Sequence, residues 1–468
     1  MRRSRVTLIR MSMPTAADSA PPTKLKRGIT TLLLFFFIVG DTLGAGIYTL
    51  VGTMAGDVGG ALWLPLVLAL TLALLTAGTY AELITKYPHA GGAARFAERA
   101  FKKPYMTFLI GFLMLSSGIT TAAALANAFA GDYLQAIVSV PTVPVTLVFI
   151  ALLVVVNIRG VRESLIANVG ATVVEMTGLI IIIVVAALVF GSGAGQPEQL
   201  TTFADGVPPI TGAFAATITA FFSFLGFEAA ANMAEEVKNP SRSYPRALFG
   251  AIITAAVVYL LIAVGAAIVV PIDQLAASEG PLLEVIQASG FAFPSWLFAI
   301  IALVAIGNGA LLFLTMASRA TYGLAEAGLL PRVFGRVASG RRTPWVAIIA
   351  VGAVTMAMSF VGDVGTLADT TVLLLVLVFI SANISVLILK KDKVAHKHFH
   401  TPKIVSIVAL VASVLLLTQQ DLQTWLISLG YIAVGTALFF IARVARKREA
   451  PAAVEPTDEG RTDAGTLN

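Results

Sequence analysis

Gly28–Gly52 reads GITTLLLFFFIVGDTLGAGIYTLVG. It is long and apolar enough to cross a bilayer, which takes about 20 residues of helix. Yet Gly40, Asp41, Gly44 and Gly46 stand at its centre. Each Gly weakens a helix by about 1 kcal/mol relative to Ala. A carboxylate at that depth costs about 3 kcal/mol or more. A helix break in lipid strands backbone N–H and C=O groups, so it is tolerated only around a polar ligand or a wet cavity.

The rest of the chain places this stretch in a membrane. Of its 468 residues 57% are hydrophobic and 12% charged, and the mean hydropathy is +0.88. Soluble domains carry about twice that charge fraction. With no Cys there is neither a disulfide framework nor a thiolate metal site. Three of the four His fall in AHKHFH (His396, His398, His400), which reads as a solvated basic loop rather than a metal site. No cofactor is expected. Residues 1–27 are polar and basic, and their apolar run VTLI is too short for a signal peptide. They read as a disordered cytoplasmic tail, with Met1, Met11 or Met13 as the start, and 446–468 reads as a second such tail.

Twelve apolar segments follow one another, at about 29–51, 61–84, 106–129, 142–158, 167–190, 211–233, 247–270, 294–317, 344–361, 367–389, 402–418 and 423–442. All 32 Lys and Arg lie in the two tails or at the connections after segments 2, 4, 6, 8 and 10, with Lys403 at the very start of segment 11. Positive charge collects on the cytoplasmic side. The alternation therefore predicts a multi-pass protein of the cytoplasmic membrane with both termini inside. It also explains the pI of 9.5 without nucleic acid.

Span 6 repeats the oddity of span 1. TAFFSFLGFEAAANMAEEV, Thr219–Val237, carries Gly226 and Glu228 in its middle. Paired interrupted spans running in opposite directions point to an inverted-repeat transporter with its site near the midplane. Gly40 and Gly44 also make a GxxxG pair, which often means close helix packing and nothing else, but two such spans, each with a carboxylate nearby, favour the break. Exposed half-helix N-termini attract a carboxylate, and exposed carbonyls attract an ammonium or a metal cation. Glu175 is a third carboxylate inside a span. Glu82 reads as a surface partner for a nearby base, Asp369 as wet, and Asn308 and Asn383 as interhelical hydrogen-bonding groups.

GDTLGAGIY resembles the span 1 signature of the amino acid–polyamine–organocation superfamily of permeases. FFSFLGFEAAANMAEEVKNPSRSYPRAL is similar to the span 6 signature of its cationic amino acid transporter-like branch. YAELITKYPHAGGAARF and ASRATYGLAEAGLLPRVFGRV resemble its span 2–3 and span 8 connections. The resemblance implies an all-α integral membrane protein of twelve transmembrane helices, a five-plus-five inverted repeat with helices 1 and 6 interrupted. Residues 28–390 form the transporter core of helices 1–10, and 391–445 add helices 11 and 12. By the same resemblance the substrate carboxylate meets the amides of Gly44, Ala45, Gly46 and Ile47. The ammonium meets carbonyls around Phe222, Ser223 and Leu225, and Phe222 acts as an aromatic gate. Glu228, just past the break, is a substrate-binding candidate that contacts a cationic substrate, gates the inner path or hydrogen-bonds a neighbouring helix.

Two departures matter. Many members of the family carry a small residue where Asp41 stands. Some carry a span 5 Lys in place of a sodium ion, and spacing from Asn168 puts Glu175 there. A carboxylate can bind a cation or take up a proton, so Glu175, with Asp41, is the expected proton-coupling group; a sodium ion held by the same carboxylates and a purely structural carboxyl are the alternatives. The expected function is amino acid transport by alternating access. The rivals are a polyamine or organic cation carrier, an exchanger of the same fold, a channel, and a membrane sensor or transceptor. An intramembrane enzyme needs a nucleophile–base pair or metal ligands at depth, and no segment holds His or Cys.

Overall fold

The computed structural model describes residues 28–449, apart from 90, 160, 339, 340 and 342, and leaves aside the side chains of 161–169, 232 and 446–449. The expected tails and the Asn168 side chain therefore lie outside the described residues, except that the last helix runs on to Glu449.

Every regular element among these residues is a helix. In chain order they are α1 (Thr31–Thr42), α2 (Gly46–Val58), α3 (Trp63–Lys86), α4 (Gly92–Phe101), α5 (Pro104–Ala130) and α6 (Asp132–Gln135). Then come α7 (Thr142–Arg159), α8 (Val161–Gly191), α9 (Pro209–Ser223), α10 (Pro240–Val269), α11 (Ile272–Ala277) and α12 (Pro281–Ala288). The last five are α13 (Ser295–Glu326), α14 (Trp345–Met358), α15 (Val364–Leu389), α16 (Lys403–Leu417) and α17 (Leu422–Glu449). Among the described residues eight helical stretches are long and apolar enough to cross a bilayer. A ninth is added if α1 and α2, bent by 46° at their junction, count as one span. Helices α9, α14 and α16 are apolar but shorter. The chain is a multi-pass membrane protein.

Large apolar side chains point outward, as lipid permits: Leu32, Leu33 and Phe36 on α1, and Ile180, Val184 and Leu188 on α8, are all exposed. Inside, small residues let helices close up. Gly118 of α5 packs so tightly on α13 that a Cβ there would stand 3.2 Å from the Phe313 carbonyl. Polar groups inside pair between helices: Thr79 donates to Asn383 Oδ1 at 2.6 Å, and Thr121 to Thr371 at 3.2 Å.

At the bundle end that holds Gly28, the α15–α16 connection folds over the end of α3. Lys390 pairs with Glu82, whose Oε2 also accepts from the Thr401 N–H at 2.7 Å. The base expected for Glu82 is there, but the pair is buried, not on the surface: Glu82 is 1% exposed. The His tract is likewise not a free loop. His396 Nε2 lies 3.2 Å from the Thr85 carbonyl, and the Phe399 N–H donates to the Thr85 hydroxyl. His398, His400 and Glu82 bring donor atoms within 4.8 Å of one another, but Lys390 holds the carboxylate they would share. Beside this, Asp392 accepts from the Tyr87 hydroxyl at 2.6 Å and from Arg99, whose guanidinium lies over the Tyr87 ring.

Candidate functional site

The first interruption is built locally. Thr30 caps α1 by accepting from the Leu33 N–H, and Leu43 closes the helix by donating to Val39 at 2.7 Å. Gly44 then turns back to the Thr42 carbonyl at 2.7 Å. Helix α2 restarts after Ala45, with no side chain capping its N-terminus. The N–H groups of its first turn have no intrahelical acceptor.

The second interruption follows Ser223. Phe224 and Leu225 donate back to Phe221 and Phe222 in tight turns. Gly226 then takes φ +116°, and its N–H donates to Glu228 Oε2 at 2.9 Å. The chain continues as a 3-10 helix, Ala229–Glu236, rather than an α-helix.

The two interruptions face each other. A Cβ on Gly46 would stand 3.1 Å from the Cα of Ser223. One on Gly226 would stand 2.8 Å from the Asp41 carbonyl. Tyr259, fully buried on α10, binds both: its hydroxyl reaches the Thr42 carbonyl and, at 2.9 Å, the Ser223 carbonyl. A phenol has one proton to donate, so it serves the two carbonyls in turn.

Between the interruptions lies a cavity of about 20 Å³. That is room for about one water, so the site is closed in this conformation. Asp41, Thr42, Gly44, Ala45 and Gly46 line one side and Phe222, Ser223 and Leu225 another, with Thr121 and Leu125 of α5 and Phe313 of α13 completing it. Asp41 Oδ2, Thr42 Oγ1 and Ser223 Oγ are buried with no hydrogen-bond partner in the protein. A ligand that donates and accepts hydrogen bonds would satisfy all three.

Of the expected substrate residues, six line this cavity: Gly44, Ala45, Gly46, Phe222, Ser223 and Leu225. Ile47 and Glu228 do not. Ile47 is buried one residue into α2, and Glu228 turns back to hold Gly226. The Phe222 ring lies against Gly46. The expected coupling residues separate: Asp41 lines the cavity, whereas Glu175 stands on α8 behind it, buried, with Oε1 unpartnered. Its carbonyl accepts from the Tyr48 hydroxyl at 2.7 Å, so it is tied to α2. The open span 6 carbonyls expected for an ammonium are already engaged at Phe222, by Leu225, and at Ser223, by Tyr259. Thr42, Thr121, Leu125, Phe313 and Tyr259 were not singled out by the sequence. Only Thr42, lying within the motif, carried a signal.

The end of the bundle beneath the cavity is also closed. Gly28 and Ile29 both donate to the Glu236 carbonyl at 3.0 Å, Lys238 donates to Ile29 at 2.9 Å, and His89 Nδ1 lies 3.2 Å from Glu235.

Two interrupted helices facing one another across a small closed cavity, in a bundle of membrane-length helices, are the arrangement of a secondary transporter. The amino acid permease family model matches residues 29–446, and the chain belongs to that family. The vacuolar cationic amino acid transporter 4 of Arabidopsis thaliana is 28% identical over 392 residues, 79% of this chain and 64% of the relative. This chain thus spans just under two thirds of that protein's length. An uncharacterized transporter of Mycobacterium tuberculosis is 27% identical over 445 residues, 94% of this chain and 96% of its own. The methylthioribose transporter of Bacillus subtilis is 24% identical over 454 residues, 92% and 96% of the two chains.

Proposed function

We propose that this permease carries amino acids across the cytoplasmic membrane by alternating access around the cavity between the two interruptions, driven by protons. The observation that carries the reading is the pairing of an uncapped α2 N-terminus with unpartnered Asp41 Oδ2, Thr42 Oγ1 and Ser223 Oγ on one cavity. Helix N-termini favour a carboxylate, and the remaining polar groups suit the rest of a zwitterion. Twelve spans in an inverted five-plus-five repeat fit this reading. In that count α1 with α2 is span 1, α9 with the 3-10 helix is span 6, and the short α14 and α16 cross where the bilayer thins around them. The placement of every Lys and Arg supports both termini inside.

Glu175 carries the coupling proton in this reading. It is a buried carboxyl with an unpartnered oxygen on α8, the helix whose Thr172 lies against Gly40 just before the break. A sodium ion at the same carboxyl is the alternative.

A polyamine or organic cation carrier of the same fold is the second reading. The lining favours it in one respect: its one ionisable member is an acid, Asp41. A relative at 24% identity is named for methylthioribose, a solute of another class again.

Uptake of labelled amino acids into proteoliposomes tests the reading, with and without an inward proton gradient and without sodium. Saturable, proton-stimulated uptake is expected. Exchange only into preloaded vesicles discards the coupling, and silence across the amino acids with uptake of polyamines favours the second reading.

A further inference from the structure

Several carbonyls at the two interruptions already accept a hydrogen bond. The Thr42 carbonyl already accepts from Tyr259 and from the Gly44 N–H, Phe222 from Leu225, and Ser223 from Tyr259. Glu228 spends Oε2 on the Gly226 N–H and does not reach the cavity. Asp41 differs from all of these. It lines the cavity, its Oδ2 is buried without a partner, and no Lys or Arg lines the cavity to balance it.

We infer that Asp41, the one carboxyl lining the cavity, receives the ammonium group of the substrate. This rests on the reading of the site as one for amine-bearing solutes. The cavity then has two poles, the carboxylate of Asp41 and the uncapped N-terminus of α2 at Ala45 and Gly46, only a few residues apart in the chain. An α-amino acid matches both, ammonium to the first and carboxylate to the second. Tyr259 ties the two interruptions together beside it. An ammonium on the Asp41 carboxylate makes a charge-assisted bond. Charge-assisted bonds of this kind are about twice as strong as neutral ones.

Binding of matched pairs to the purified protein tests this, read as ligand-dependent thermal stabilisation: L-alanine against propanoate, L-leucine against 4-methylpentanoate, and L-arginine against 5-guanidinopentanoate. The wild-type chain is expected to prefer the amino member of at least one pair. Asp41→Asn is expected to weaken that member by about ten- to a hundredfold and to leave the des-amino member unchanged. A merely structural role would weaken both members alike. If Asp41→Asn does not fold, Asp41→Glu keeps the charge and moves it by one methylene, and the preference is expected to shrink. Undiminished preference in the variants, or equal weakening of both members, overturns the inference while leaving amino acid binding by the wild type intact. A wild-type chain that binds no amino member overturns the reading beneath it.

Discussion

Gly226 and Asp41 are in backbone contact, although 185 positions apart in the chain's numbering of 41 and 226. At φ +116° a Cβ on Gly226 would lie 2.8 Å from the Asp41 carbonyl oxygen and 3.3 Å from its carboxyl carbon. The two interruptions are therefore one joint. Each supplies the space the other needs, and Tyr259 spans the seam.

Gly226→Ala should break this joint. The backbone at +116° costs an L-residue about 1–2 kcal/mol, and the two nearest atoms the added carbon meets are backbone, which cannot swing aside. Lower thermal stability and loss of uptake are expected. Gly206→Ala is the control: its φ is +75°, yet nothing stands within 4 Å of the added carbon. It should lose some stability and keep uptake, as a thermal melt and an uptake assay on the same preparation would show.

Glu175→Gln removes a titratable group and keeps its shape. Substrate affinity should stay within about threefold of wild type, because Glu175 lies off the cavity and its tie to Tyr48 uses only its backbone carbonyl. Stimulation of uptake by an inward proton gradient should vanish. Uptake that still responds fully to the gradient would remove Glu175 from the coupling.

The Glu82–Lys390 pair should respond asymmetrically to truncation. Lys390→Ala leaves a carboxylate that is 1% exposed with only the Thr401 N–H, and breaking such a pair costs about 3–5 kcal/mol. Glu82→Gln leaves an ammonium whose side chain is 15% exposed and which keeps the Thr401 carbonyl, so the loss should be smaller. Denaturation in detergent, compared across the two variants, checks the order.

Asp392 gives a pH signature. The hydrogen bond from Tyr87, helped by Arg99, holds its carboxyl below the ordinary Asp range despite some burial. A carboxyl that ionises more readily in the fold stabilises it above the unfolded value of about 3.9. That contribution is lost as pH falls through the lower folded value. The stability gap between wild type and Asp392→Asn should thus be constant from pH 8 to pH 5 and close below pH 4. So exposed a pair contributes at most about 1 kcal/mol.

What the sequence made legible was the placement of the two breaks. Glycines beside carboxylates in apolar runs have few other uses, and the structure interrupts both helices there. The lining from α1, α2 and α9 followed from those motifs. The lining from α5 and α13 did not, because in helices apolar on every side periodicity does not mark an inward face. Tyr259 looked like any aromatic in an apolar helix, since its importance comes from two carbonyls 217 and 36 positions away. Glu82 was matched to a base in principle, but a partner 308 positions off in sequence is invisible without the fold. Helix ends also overran the apolar segments: α13 continues to Glu326, past the segment's end at 317, because hydrophobicity marks where a helix leaves lipid and not where it stops.

The short backbone zipper at Gly28, Ile29, Glu236 and Lys238 makes the start of span 1 a natural gauge of the transport cycle. Its bonds involve no side chains, so substitutions at the surface leave them intact while labels attached to the exposed positions 28 and 238 stay in register. In the proposed cycle, release of cargo on this side parts the zipper, and the separation of the two labels becomes a clock for that event. The dwell time of the short distance would measure how long the gate stays shut, and its change on adding substrate would show whether cargo springs the latch or merely waits for it.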